Sequence, residues 1–213
     1  MGKQKKEMAL ELYPSHPRFC IKENVIICDF LSGPSTRGRA GSLYLCTFYG
    51  KWRRFQKNLK KRPVDTVFIG GGTPSVPECD VMEKLLQGLR DYFLFSADAE
   101  VTIEANPGTL TPEKLSIYRK FGINRISIGL QSPNNKELAM LGRIHNYAQF
   151  LESFQMAREA GFSNINVDLM FAIPGQCYEG WIENLGWWRH LARSTFRHTV
   201  LLLKRAPLFP EKS

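Results

Sequence analysis

The sequence predicts an α/β fold built on a mainly parallel sheet, and three observations point to it. Short apolar, β-branched runs alternate with stretches of helical periodicity four times in about 120 residues. Gly, Pro and Asn separate these runs, as expected at turns. Strands that alternate with helices favour parallel pairing through crossover connections. This part of the chain therefore forms either an open doubly wound sheet or part of a barrel.

Four strands are predicted in order along the middle of the chain. Val64–Ile69 is a β-branched run that ends in three glycines, Gly70 to Gly72, which suit a turn that a ligand approaches closely. The later strands are expected at Ala99–Glu104, Arg125–Leu130 and Asn164–Ile173.

Helices are predicted between these strands from apolar spacing and from capping residues. Thr111 is the expected N-cap of one helix, because Pro112 then occupies the first helical position and Gly122 ends the helix. The other helices are expected at Pro77–Phe93, Lys136–Leu141 and Tyr147–Ala160.

Polar residues gather where these strands end. In parallel α/β sheets the functional residues collect at the carboxyl ends of the strands. Each residue also has an ordinary interpretation: a tight turn for the glycines, a solvated strand end for Glu104, a cap or salt-bridge partner for Asp168, and an exposed loop for Arg143 with His145. Their coincidence at successive strand ends favours one shared site, and the residues concerned are Thr73, Glu104, Asn106, Gln131, Ser132 and Asp168.

Composition excludes several classes of protein. The chain has 213 residues, of which 43% are hydrophobic, enough for one core but without an apolar run of the ~20 residues that cross a bilayer. We therefore expect a soluble, cytoplasmic protein. Five cysteines argue against a disulfide framework and leave free thiols or metal ligation. The four histidines lack metal-ligand spacing, which argues against a zinc site.

Five ordered motifs carry a family resemblance between about Pro63 and Leu185. They resemble radical S-adenosylmethionine proteins of the oxygen-independent coproporphyrinogen III oxidase family. The motifs are Gly70-Gly71-Gly72-Thr73-Pro74-Ser75, Glu104-Ala105-Asn106-Pro107-Gly108-Thr109, Ser127-Ile128-Gly129-Leu130-Gln131-Ser132, Leu141-Gly142-Arg143-Ile144-His145, and Asn166-Val167-Asp168-Leu169-Met170 with Ile173-Pro174-Gly175-Gln176.

The resemblance implies an incomplete parallel (β/α) barrel that holds a [4Fe–4S] cluster and S-adenosylmethionine at the strand carboxyl ends. It places Gly71, Gly72 and Thr73 near the methionine amino and carboxylate groups. Charged and amide contacts to the cofactor would come from four further residues, with Asp168 at the ribose hydroxyls: Glu104, Gln131, Arg143 and Asp168.

The resemblance also implies three cysteines in a Cys-x-x-x-Cys-x-x-Cys motif after the first strand. This chain keeps Cys20 and Cys28 as candidate ligands, but they are eight positions apart instead of seven and the middle cysteine is missing. Cys46, Cys79 and Cys177 have no matching context and are interpreted as packed thiols. The chain is therefore expected to lack a competent cluster and to be inactive.

The Cys28-Asp29-Phe30 ending resembles the heme-chaperone branch of the family. This implies a protein of porphyrin metabolism that binds heme for a hemoprotein acceptor. Two alternatives stay open: anaerobic oxidative decarboxylation of coproporphyrinogen III, and a basic nucleic-acid-associated module. The second rests only on the net charge of +9.

That charge comes entirely from the two ends of the chain. Residues 1–62 hold 14 Lys and Arg against 4 Asp and Glu, residues 63–186 hold 9 against 15, and residues 187–213 hold 6 against 1. We interpret these segments as a degraded cluster-binding segment, the barrel core and an irregular tail. Read one base out of frame, the codons of 187–209 permit a string that resembles the family's next strand. Frameshifts that alter both ends and truncate the chain are our hypothesis, which leaves no reason to expect a nucleic-acid partner.

Overall fold

A computed structural model describes most of the chain. Residues 63–70 and 73–187 are described with their side chains, and residues 9–12, 19–22, 25–28, 188 and 195–200 by their backbone. The frameshift hypothesis concerns stretches that lie largely outside these ranges, so it stays a prediction.

The described strands form one sheet of eight members. Its order is β2-β3-β1-β4-β5-β6-β7-β8, with antiparallel pairing between β2 and β3 and parallel pairing everywhere else. The strands are β1 Ala9–Leu12, β2 Phe19–Lys22, β3 Val25–Cys28, β4 Val64–Ile69, β5 Phe95–Ala105, β6 Arg125–Gln131, β7 Asn164–Phe171 and β8 Thr195–Val200. Among the described residues β2 and β8 are the outer strands, so the barrel is not closed. The prediction of an incomplete parallel α/β barrel is confirmed.

Helices follow the central strands, as the alternation predicted. Thr111 caps the second helix, where its side chain accepts a hydrogen bond from the Lys114 amide at 3.2 Å. The described helices are α1 Cys79–Tyr92, α2 Pro112–Lys120, α3 Asn135–Met140, α4 Tyr147–Glu159 and α5 Tyr178–Trp188. Each bound lies within a few residues of its prediction where one was made.

The two faces of the central sheet differ in chemistry. One face presents apolar side chains to the helices and forms the core, since alternate residues of a strand point the same way. The opposite face is polar near the carboxyl ends, because Glu104 pairs with Ser127 and Ser127 pairs with Asn166 in register. Core members from strands and helices include Ile69, Ile103, Ile128, Val167, Leu85, Leu115, Phe150 and Trp181.

The ends of the chain contain more strand than the sequence suggested. The tail 187–213, interpreted from the sequence as irregular, contains β8, which begins at Thr195 and pairs with β7 from Asn166 to Phe171. The interpretation of the tail as irregular was wrong for residues 195–200. Pairing along a neighbouring strand supplies backbone hydrogen bonds that outweigh the weak local apolar pattern.

Within the described part of the chain, the longest helices fall short of what a membrane crossing requires in length and apolar content.

Candidate functional site

The loops after β4 and β5 are joined side by side. The Asn106 side-chain amide donates to Thr73 Oγ1 at 3.1 Å, and the Asn106 backbone amide donates to Ser75 Oγ at 3.3 Å. Ser75 Oγ and Thr109 Oγ1 lie 2.6 Å apart. These contacts hold Thr73 beside the end of β5. Since Thr73 Oγ1 accepts from Asn106, its own hydroxyl proton stays available for donation.

Lys114 joins the same two loops through their backbone carbonyls. Its ammonium donates to the Ser75, Thr109 and Val76 carbonyls at 2.7, 3.3 and 3.4 Å. Lys114 is buried, although it lies on α2, where sequence alone suggests a solvated lysine. Helix α2 is therefore tied to both loops that carry predicted site residues.

Two glycines leave space for polar side chains at this edge. A Cβ added to Gly129 would lie 2.7 Å from Gln131 Nε2, closer than real Cβ contacts allow, and 3.3 Å from Asn106 Oδ1, which is tighter than most. A Cβ added to Gly70 would lie 2.8 Å from Glu104 Oε2. The absence of side chains at these positions lets Glu104, Asn106 and Gln131 occupy the ends of adjacent strands.

Asp168 is held by two neighbours on the polar face. Ser127 Oγ donates to Asp168 Oδ2 at 2.9 Å, and Asn166 Nδ2 donates to Asp168 Oδ1 at 2.9 Å. Asn166 Nδ2 also donates to Ser127 Oγ at 2.8 Å. A carboxylate that accepts one bond on each oxygen is fixed in orientation and keeps further lone pairs for a ligand. Because Glu104 pairs with Ser127 in register, it lies on the same face.

Arg143 lies in the loop after α3, and the contact that joins this loop to β6 is made by His145. Two residues later, buried His145 lies with Nε2 at 3.2 Å from the Leu130 carbonyl, and an oxygen acceptor requires that nitrogen to carry the proton. Burial lowers the pKa of Arg143 and, as the largest cause, that of His145. The Arg143 charge lowers the His145 pKa further, while the bond to Leu130 raises it. The histidine is thus a neutral donor that anchors the Arg143 loop to β6.

The predicted cluster ligands are described only in part. Cys20 in β2 pairs with Ile27, and Cys28 in β3 pairs with Phe19. Their side chains lie outside the described residues, so their role stays a prediction. Where side chains are described, the cysteines are half-buried Cys79 and exposed Cys177, so the interpretation as a packed thiol was wrong for Cys177. Among the same residues, no three His, Cys, Asp or Glu side chains are grouped as metal ligands. These residues do not fit an iron–sulfur cluster.

The edge does fit the polar groups of S-adenosylmethionine. Glu104 and Asp168 supply acceptors, while Gln131 and the Thr73 hydroxyl supply donors for a zwitterion with a ribose diol. Gly71 and Gly72 lie outside the described residues, and the cofactor role of every residue here stays a prediction.

Sequence reasoning missed the supporting residues. Ser127 and Asn166 belong to quoted motifs but were not assigned a role, and Lys114 resembles an ordinary helix-surface charge. The alternation of polar residues along β6 and β7 is the one sequence pattern that indicates Ser127 and Asn166.

Comparison with known proteins identifies the family of this fold. A model described as the radical SAM superfamily matches residues 51–187, well over half of the chain. Heme chaperone HemW of Escherichia coli (strain K12) is 39% identical over 160 residues, covering 70% of this chain and 42% of that protein. HemW of Bacillus subtilis is 43% identical over 112 residues, covering 52% and 30%. The chain spans less than half the length of these relatives.

Solved structures agree at the level of fold. Escherichia coli coproporphyrinogen III oxidase HemN, a radical SAM enzyme, superposes with a TM-score of 0.71 at 25% identity, covering 90% of this chain and 43% of HemN. Methylornithine synthase PylB, at 13% identity and a TM-score of 0.62, covers 92% of this chain and 54% of its own and supports the fold alone. The chain belongs to the radical SAM superfamily, which implies S-adenosylmethionine and a [4Fe–4S] cluster, and it is a HemW-like member.

Proposed function

We propose that this chain carries the S-adenosylmethionine-binding part of a HemW-like protein that binds heme for transfer to a hemoprotein. The HemW relatives are 33–43% identical over the matched regions, whereas the HemN structure is 25% identical. Heme, its acceptor and the cofactor contacts are parts of this proposal.

One observation supports the cofactor site above all: acceptors and donors converge at one edge of the sheet, at or just after the ends of adjacent strands. Asn106 and Gln131 lie over Gly129, and Asn106 also bonds Thr73, which gives one group. Glu104, Ser127 and Asp168 form a second group on the same face. The two groups meet because Glu104 and Asn106 are alternate residues at the end of β5. Strand-mounted side chains hold such a geometry more exactly than mobile loops do.

Each group suits one part of the ligand. The fixed Asp168 carboxylate can accept both hydroxyl protons of a ribose diol. Glu104 would accept from the methionine ammonium, while Arg143 and the Thr73 hydroxyl would face its carboxylate. Cys20 and Cys28 are the candidate ligands of a [4Fe–4S] cluster, which would supply the electron for reductive cleavage of the sulfonium.

Equilibrium dialysis against radiolabelled S-adenosylmethionine tests the site. Asp168→Asn should weaken binding roughly tenfold or more, because a charged acceptor becomes a neutral one that also presents a donor. The matched control is Glu100→Gln, which lies on the same strand as Glu104 but four residues before it and exposed. Loss of affinity in the control alone, or no binding by the unmodified chain, would refute the proposed site.

The cluster is tested separately after anaerobic reconstitution. With two in-register cysteines, the protein should show little iron–sulfur absorption and no S-adenosylmethionine cleavage. Stoichiometric iron together with cleavage would show that the predicted defect is wrong.

Heme transfer and porphyrinogen oxidation are distinguished by their products. The similarity to HemN keeps anaerobic coproporphyrinogen III oxidation as the second candidate. A heme titration followed by absorbance should saturate, with transfer to an apo-hemoprotein and without decarboxylation of coproporphyrinogen III. Decarboxylation by the reconstituted protein would favour the oxidase instead.

A further inference from the structure

Two residues in the described part of the chain adopt a backbone conformation that side chains disfavour. Gln131 has φ of 70° at the end of β6, and Ala172 has φ of 61° directly after β7. Non-glycine residues persist in this region only where their surroundings hold them there, and such positions cluster at functional sites. Gln131 is also a predicted cofactor contact, so the question is what holds it.

Glu137 on α3 is the common hydrogen-bond acceptor behind both positions. Its Oε2 accepts from Ser132 Oγ at 2.5 Å, from Gln176 Nε2 at 3.0 Å and from Asn184 Nδ2 at 3.0 Å. The three donors come from the loop after β6, the loop after β7 and helix α5. One carboxylate oxygen thereby connects three elements.

Both left-handed residues are coupled to this carboxylate. Ser132 directly follows Gln131, and its Oγ also accepts from the Asn134 backbone amide at 3.0 Å. Gln176 Oε1 accepts from the Ala172 backbone amide at 3.0 Å, while the other end of the same amide side chain donates to Glu137. Gln131 is thus joined by a peptide bond to Ser132, which bonds Glu137. Ala172 is joined by a hydrogen bond to Gln176, which also bonds Glu137.

The charge and the burial make this connection strong. Ser132, Gln176 and Asn184 are all buried, and bonds to an ionised acceptor are stronger than those between neutral groups. If the carboxylate were removed, buried donors would lose their partner, and Gln131 could relax toward ordinary strand geometry. Its side chain would then leave the space over Gly129 beside Asn106 Oδ1.

We propose that Glu137 is a positioning residue that fixes Gln131 for the cofactor by tying together the ends of β6 and β7. This inference rests on the proposed function, since it assigns Glu137 a role toward the same S-adenosylmethionine site. Glu137 acts through Ser132 and Gln176 and does not contact the cofactor itself.

A double-mutant cycle on S-adenosylmethionine affinity tests the coupling. Glu137→Ala and Gln131→Ala should each weaken binding by roughly five- to tenfold, and the double variant should be no weaker than either, because both remove one interaction. Glu137→Gln, which keeps an oxygen acceptor, should recover part of the loss. Glu152→Ala, an exposed change on α4, should bind like the unmodified chain. Multiplicative losses in the double variant would overturn the proposal.

Hydrogen exchange of single amides provides a readout that needs no ligand. In Glu137→Ala the Asn134 and Ala172 amides should exchange faster, while amides in β4 and β5 stay protected. Unchanged exchange at both amides would overturn the positioning role even if affinity falls. Failure of the unmodified chain to bind S-adenosylmethionine would instead overturn the proposed function, so the two failures are distinguishable.

Discussion

The two halves of the candidate site are stabilised by opposite chemistry. In the β4–β5 half, a buried cation, Lys114, donates to three backbone carbonyls and joins the loops directly. In the β6–β7 half, a carboxylate, Glu137, accepts from three side chains and holds the loops indirectly. Both side chains come from helices that follow the strands.

The difference shows what each half needs. The β4–β5 loops place their side chains through direct bonds such as Asn106 to Thr73. Bonds from Lys114 to the loop carbonyls are therefore enough to hold this half of the site. The β6–β7 half contains two left-handed non-glycine residues, Gln131 and Ala172, whose conformation requires side-chain partners. Loss of Lys114 should therefore affect mainly stability, and loss of Glu137 mainly ligand geometry.

The largest expected effect is from Lys114→Met. Three carbonyls beneath the site loops would lose their donor, and at least one buried carbonyl would stay unsatisfied, so the free energy of unfolding should fall by about 3 kcal/mol. Urea unfolding measures this. Lys136→Met, at an exposed position of α3, should change stability by less than ~0.5 kcal/mol. Equal losses of unfolding free energy in the two variants would contradict the role of Lys114 in joining the loops.

A smaller loss is expected from Gly129→Ala. The new Cβ would lie 2.7 Å from Gln131 Nε2, so the flexible end of this side chain must shift, and the free energy of unfolding should fall by about 1 kcal/mol. S-Adenosylmethionine affinity should fall as well. In α5, Gly186 has no atom within 4 Å of an added Cβ, and Gly186→Ala should stabilise the helix by up to about 1 kcal/mol. The melting temperatures of both variants, measured by thermal unfolding, test whether the Gln131 side chain over Gly129 disfavours a Cβ at that position.

The smallest effect concerns pH and His145. Burial lowers the pKa of His145 from its ordinary 6.5, so the unfolded chain binds a proton at higher pH than the folded chain does. This histidine's contribution is complete above that ordinary value and is lost as the pH falls through and below it. The melting temperature should therefore fall less between pH 7.5 and pH 5.5 in His145→Gln than in the unmodified chain. An identical pH dependence would show that the imidazole is not held neutral.

Local sequence patterns were sufficient to predict the helices and strands but not the charged residues that hold the site loops. The N-cap at Thr111 and the strand at Val64–Ile69 follow from residue type and spacing, and the structure confirms both. Lys114 and Glu137 carry charges that a sequence places on a solvated helix surface. Their partners lie 39 and 47 positions away in the farthest cases, so only the packed structure reveals them.

For the site residues at the strand ends, the sequence predicted their grouping but not the bonds that orient them. The rule that parallel strands gather functional residues at one edge placed Glu104, Gln131 and Asp168 together, because it depends on topology and not on contacts. The bonds that orient Asp168 could not be predicted, since they depend on the register between β6 and β7.

Chemical-shift mapping with S-adenosylmethionine tests the central claim most directly. If the carboxyl edge of β4 to β7 is the binding site, the backbone amides of Thr73, Asn106, Gln131 and Asp168 should shift together and saturate along one binding curve. The amide of Glu159, at the end of α4, should stay unchanged. Saturable shifts confined to other parts of the chain, or no shift at these four amides, would contradict the assignment.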